Sequence, residues 1–208
     1  MRCSIFIINL IEIQTSKGGA MKSFRMVMLF AFFIGISSES FALEVKGVNF
    51  PESVTIQNTA CKLNGVGLRK KVIINVYLGA LYLAQPSKSP ETIATSDQIK
   101  QVSMHFLYSE VKPEQLIEAW DEGFSKNSPD SVVKLKSKIA TFKSFFNESM
   151  KKNDTMSFTY IPGKGTEVII KGKSKGVIEG KDFMDALFSI WFGAYPPDKG
   201  LKEGMTGK

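Results

Sequence analysis

Cysteine and histidine are nearly missing from this chain of 208 residues, which holds only Cys3, Cys61 and His105 of those types. With Cys3 set aside in the N-terminal segment, Cys61 and His105 are too few for a Cys/His metal site, which needs three or four such ligands, so that chemistry is excluded and no metal or cofactor is expected. A Cys–His nucleophile pair has a single combination once Cys3 is set aside with the N-terminal segment. Cys61 lies in an alternating, strand-like run and reads as buried core filler. His105 reads as a satisfied histidine, since nothing in the sequence supplies a nucleophile for it to activate. Internal repeats and low-complexity tracts are also absent.

Long hydrophobic runs are lacking too. Met26 to Ile36 is apolar for eleven residues, well short of the roughly 20 a spanning helix requires. It follows the basic Met21-Lys22-Ser23-Phe24-Arg25 and precedes Ser40-Phe41-Ala42, the pattern of a secretory signal cleaved after Ala42. Residues 21–42 are therefore read as a signal peptide and 43–208 as a single domain, secreted and periplasmic. Residues 1–20 place a second apolar patch ahead of that signal and read as an extension from a misassigned start codon. Lys17-Gly18-Gly19 can be encoded by a stretch containing a ribosome-binding sequence, which points to a bacterial source.

Removing residues 1–42, which carry Arg2, Lys17, Lys22 and Arg25 against Glu12 and Glu39, takes the net charge from +7 to +5. That modest excess is spread along the chain, and no nucleic-acid motif accompanies it. The densest cluster, Lys134, Lys136, Lys138 and Lys143, reads as a solvated helix face; peripheral contact with an anionic membrane is the weaker alternative.

Val45 to Phe50, Ser53 to Gln57 and Cys61 to Leu63 read as short strands, and Val72 to Leu83 as a long one. A short helix is expected over Pro90 to Thr95. A strand over Gln98 to Leu107 points Val102, Met104 and Phe106 one way. Amphipathic helices are expected from Pro113 to Phe124 and from Asp130 to Phe146, the second with Val132, Leu135, Ile139, Phe142 and Phe146 on one face. Strands over Thr155 to Ile161, Thr166 to Lys171 and Lys175 to Ile178 form two hairpins. A last helix carries Phe183, Leu187, Ile190 and Trp191 and ends near Gly193. Strands, then helices, then hairpins and a helix predict an α+β fold, an antiparallel sheet covered by a helical layer.

The segment Leu63 to Leu83 is the most specific part of the chain. Gly65-Val66-Gly67-Leu68-Arg69 runs into a β-prone stretch ending Ala80-Leu81-Tyr82-Leu83, and it resembles the active-site strand of the chalcone isomerase family, whose G-x-G-x-R turn delivers an arginine to a cleft. The element order from Val45 to Lys202 is similar to that open-faced sandwich. The resemblance implies that Arg69 matches the arginine that acts on the oxyanion side of the isomerase reaction. The family's strand threonine falls on Tyr77, as in its fatty-acid-binding members, where arginine and tyrosine hold a carboxylate. Gln115 and Glu118 stand where the isomerases place a tyrosine and a lysine, and Ile190, beside Trp191, replaces a specificity threonine.

Read without the resemblance, an arginine after two glycines, followed by a strand face bearing Asn75 and Tyr77, suits bidentate capture of a planar anion. Eight residues of straight strand span roughly 26 Å, so Arg69 and Tyr77 share a ligand only if the chain turns near Lys70-Lys71. The competing reading gives Arg69 a structural ion pair and packs Tyr77 in the core. Three functions follow. The first is a non-catalytic secreted protein binding a small amphipathic anion such as a fatty acid, through Arg69, Tyr77, Asn75, Ile190 and Trp191, with Phe183 and Leu187 as further walls. The second is an isomerase or lyase using Arg69. The third is an envelope interaction module. A cavity ending at Arg69 favours the first two, and a filled core the third.

Overall fold

The computed structural model describes residues 42–208. The start extension and all of the signal segment except Ala42 lie outside the described residues.

Two short strands open the chain, Ala42–Val45 (β1) and Val48–Pro51 (β2), followed by Ser53–Ile56 (β3), Thr59–Lys71 (β4) and Ile74–Leu83 (β5). Helix Pro90–Thr95 (α1), strand Lys100–Phe106 (β6), the two-residue Glu110–Val111 (β7), helices Pro113–Asn127 (α2), Pro129–Lys134 (α3) and Lys136–Ser144 (α4), and Met150–Lys151 (β8) come next. Strands Thr155–Ile161 (β9), Gly165–Ile170 (β10) and Lys173–Ile178 (β11) and helices Lys181–Phe192 (α5) and Lys199–Met205 (α6) complete the fold. Seven strands form one antiparallel sheet in the order β11-β10-β9-β6-β5-β4-β3. Because β6 pairs directly with β9, α2 to α4 are an excursion between neighbouring strands and lie as a layer against the sheet.

That layer is bound by aromatic side chains. Val102, Met104 and Phe106 of β6 are buried on the helix-facing side, as their alternation predicts. The Trp120 ring of α2 meets Phe142, Phe146, Phe158 and Trp191 at centroid distances of 5.4, 5.5, 5.3 and 5.7 Å. Such pairs each add about 0.5–1.5 kcal/mol beyond the area they bury. A smaller core on the opposite face gathers Cys61, Leu78, Ala80 and Tyr82 under Phe50 of β2. β5 is therefore buried on both sides, which is why its sequence lacks the polar alternation of a half-exposed strand. Cys61 is fully buried there, and burial pushes its thiol pKa up.

Several elements differ from expectation, beginning with the strand read over Val45 to Phe50, which is two strands joined by a turn at Lys46-Gly47. The helix read as continuous over 130–146 breaks at Leu135, whose φ of −101° and ψ of 15° leave the helical region, and α3 has no buried residue to hold it in line. The strand read from Val72 begins at Ile74, because Val72 and Ile73 are the connection of a hairpin. Beyond Gly193 a separate helix, α6, starts after Asp198, whose side chain accepts the Leu201 N–H as an N-cap. No helix among the described residues is long and apolar enough to cross a membrane.

Candidate functional site

The Gly65–Arg69 motif is the interior of β4, where a turn was expected. Its glycines serve close packing, because α6 lies directly on this strand. A Cβ on Gly65 would overlap the Gly204 carbonyl oxygen, and one on Gly67 would overlap the Leu201 carbonyl. On the helix, a Cβ on Gly204 would come to 2.5 Å from the Cα of Gly67. Glycine on both surfaces lets two backbones touch, and the contact fixes the part of β4 that ends at Arg69.

The chain then reverses over Val72-Ile73, with Lys71 paired to Ile74 and a bulge between Arg69 and Lys70. The reversal makes Arg69 and Tyr77 direct cross-strand partners. The Arg69 guanidinium carbon lies 5.7 Å from the centre of the Tyr77 ring, within cation–π range. Arg69 is half-buried; its Nε is buried without a hydrogen-bond partner, and no ion pair among the described residues includes it. Asp198, the acid on the adjoining loop, already accepts the backbone N–H groups of Lys70 and Leu201. The structural ion pair that competed for Arg69 is thus not formed.

Tyr77 is buried, and its hydroxyl accepts the indole N–H of Trp191 at 3.2 Å. Burial raises the phenol pKa, while the Arg69 charge and the Trp191 hydrogen bond pull against that rise. The phenol is therefore neutral near pH 7, and its own proton has no protein acceptor among the described residues.

Arg69, Tyr77 and Trp191 border a cavity of about 770 Å³, within the roughly 300–1,000 Å³ of small-ligand pockets. Val76, Met104, Phe106, Leu116, Trp120 and Ile190 give it apolar walls. Lys126, Lys199, Lys202, Glu122 and Glu203 stand around it. Lys202 donates to the Gly193 carbonyl, and burial lowers its pKa.

Of the five residues expected to bind ligand, Arg69, Tyr77, Ile190 and Trp191 meet at this cavity. Asn75, half-buried opposite Lys70 near the hairpin end, does not line it. Phe183 and Leu187 are corrected from cavity walls to core: Phe183 packs on Phe124 and Phe142 at 6.1 and 5.4 Å, and both are fully buried. On α5 Leu187 lies about one turn and Phe183 about two turns before Ile190 and Trp191, enough to carry them past the cavity. Gln115 lines it, with its carbonyl oxygen accepting the Lys112 N–H, whereas Glu118 is exposed and does not. His105 alternates away from Met104 and Phe106 and is outside the lining. Trp120 was not singled out from the sequence as a site residue, yet it lines the cavity and its buried indole N–H has no acceptor among the described residues. An indole on an otherwise apolar helix face was the signal for that donor.

Known proteins agree with this architecture. A solved fatty-acid binding protein of Arabidopsis thaliana is similar in structure, with a TM-score of 0.63 at 20% identity, covering 81% of this chain and 96% of its own. At that identity the likeness speaks for the fold. No curated protein matches the chain. A family model described as chalcone isomerase-like matches residues 42–207, nearly everything the structure describes, and the chain belongs to the chalcone isomerase-like family.

Proposed function

We propose that the protein is a non-catalytic binder of a small amphipathic anion, a fatty acid or similar carboxylate, held in the cavity beside Arg69. The observation that carries this reading is an arginine whose buried Nε has no hydrogen-bond partner and which forms no ion pair among the described residues, at the edge of a cavity with apolar walls. The Glu122 carboxylate, also at the cavity, lies within electrostatic reach but does not pair with it, and a partly desolvated guanidinium with an unmet N–H gains most from an anion that hydrogen-bonds it directly. The fork of N–H donors suits a carboxylate, the Tyr77 hydroxyl is a free neutral donor beside it, and the walls from Val76 to Ile190 suit an acyl chain. The structural likeness to a fatty-acid binding protein supports the same ligand class. The cavity also weighs against the interaction module, which required a filled core.

Calorimetric titration with palmitate tests the reading. A charged hydrogen bond is worth about 1.5–3 kcal/mol and a neutral one about 0.5–1.5. Arg69→Ala should therefore weaken binding by roughly ten-fold or more and Tyr77→Phe by several-fold. Equal affinity in all three proteins, or none in the wild type, defeats the proposal.

Export belongs to the same proposal: the protein is secreted, into the periplasm of a bacterium, after cleavage between Ala42 and Leu43. The family match beginning at residue 42 supports that boundary. N-terminal sequencing should find Leu43 first, and recovery of a chain that keeps residues 21–42 defeats it.

A further inference from the structure

We propose that the tip of the β4–β5 hairpin, Lys70-Lys71-Val72-Ile73-Ile74, is a docking element for an anionic lipid bilayer, and that it sets the cavity rim against the membrane surface. Val72 and Ile73 are 91% and 89% exposed and Ile74 is 41% exposed, so three successive apolar side chains stand in water. Single exposed apolar residues need no explanation, but a cluster at the end of a projecting hairpin leaves an apolar surface that nothing in the described chain covers.

The backbone points the same way. Val72 has a φ of 59°, a conformation that glycine, asparagine or aspartate adopts readily and a β-branched residue adopts at a cost. Neither solubility nor turn geometry favours valine at this place. A bulky apolar side chain held there against both suits insertion among acyl chains.

The charges fit an anionic surface. Lys70 and Lys71 are exposed, lie immediately before the apolar residues, and have no ion-pair partner among the described residues. Each cation near an anionic leaflet contributes about a five-fold gain in partitioning. With no spanning helix among the described residues, the contact is peripheral.

The tip is also continuous with the cavity. Arg69, one residue before it, lines that cavity, and the Lys70 N–H donates to Asp198 Oδ2 at 3.0 Å, tying the hairpin to the loop that carries Pro196 and Pro197. Tyr195 on this loop is 64% exposed, a side chain of the kind enriched at membrane interfaces. A carboxylate lipid entering at Arg69 would pass directly from the bilayer. That purpose rests on the fatty-acid reading, whereas docking itself rests on the tip residues.

Co-sedimentation with vesicles of phosphatidylcholine and phosphatidylglycerol, against phosphatidylcholine alone, tests the proposal. Wild type should pellet with the anionic vesicles and be released by salt. Ile73→Asp should reduce partitioning by about ten-fold or more, and Lys70→Gln/Lys71→Gln by about as much on anionic vesicles. Val72→Gly should bind vesicles more weakly while raising Tm, since it removes an inserting side chain and relieves the positive φ. A misfolded variant would lose both properties together. Ile73→Asp should bind palmitate like wild type in vesicle-free solution, so the cavity and the docking element fail separately. Wild type that ignores anionic vesicles overturns the proposal, as does Ile73→Asp that binds them equally well, or wild type that self-associates through the tip without lipid.

Discussion

Trp191 donates its indole N–H to the Tyr77 hydroxyl at 3.2 Å, joining α5 to β5 at the edge of the cavity. Both residues are nearly inaccessible, so neither can replace the other by water without cost. Tyr77→Phe leaves a buried N–H unpaired and should cost about 1–3 kcal/mol of stability. In the double variant Tyr77→Phe/Trp191→Phe the loss should be smaller than the sum of the single losses by about 0.5–1.5 kcal/mol. Urea unfolding of the four proteins measures this coupling, and strict additivity would mean the hydrogen bond contributes nothing.

The backbone contact between β4 and α6 should be equally measurable. Gly67→Ala would press a methyl group into the Leu201 backbone, which can yield only if the helix moves. We expect about 1–3 kcal/mol of destabilisation, together with weaker palmitate binding, because Arg69 lies two residues further along the strand. Gly163→Ala is the control. Gly163 has a φ of +76° and open space around it, so alanine there should carry backbone strain while leaving affinity unchanged.

Local signals in the sequence account for most of the architecture. The alternation of Val102, Met104 and Phe106 identified the buried face of β6, and Pro90 and Pro113 marked the starts of α1 and α2. Sequence failed where the cause was distant. Gly65 and Gly67 look like turn residues, and their packing role depends on Leu201 and Gly204, far away in the chain. α6 itself contains two glycines in Lys199-Gly200-Leu201-Lys202-Glu203-Gly204-Met205 and is poorly marked by propensity. Arg69 and Tyr77 were recognisable individually. Their pairing depended on a reversal at Val72-Ile73, which carries none of the usual turn residues. Which of the α5 apolar residues face the cavity depends on the angle at which that helix meets α2, where Ile190 packs over Gly123.

Chalcone cyclisation should be no faster than the uncatalysed reaction. Ile190 presents a hydrocarbon to the cavity, Gln115 has its carbonyl oxygen committed to the Lys112 N–H, and Glu118 is outside the lining. Arg69 and Tyr77 remain to stabilise developing oxyanion charge, without the further polar groups that the isomerases set around their substrate. A spectroscopic assay decides the matter, and turnover abolished by Arg69→Ala would show that these two residues suffice.

Stability should increase with pH above neutrality because of Lys100. Its side chain is fully buried, donates to the carbonyls of Ile93 and Ala94 at 2.7 and 3.1 Å, and lies 4.8 Å from the Phe188 ring centre. Burial lowers its pKa from the usual 10.5 to about 7; nearby Lys181 adds to the fall, while Asp185 and Asp97 oppose it. Between about pH 7 and 10.5 the unfolded chain carries the proton and the folded protein does not, so unfolding takes a proton up. Raising pH across that window therefore favours the folded state, by an amount on the order of a few kcal/mol. Below it both states are protonated and this contribution is flat. Lys100→Met should abolish the slope while losing the two hydrogen bonds to the last turn of α1. Urea unfolding across the window separates the cases: a flat or falling wild-type profile, or a slope that survives Lys100→Met, would show that this lysine keeps its proton in the folded protein.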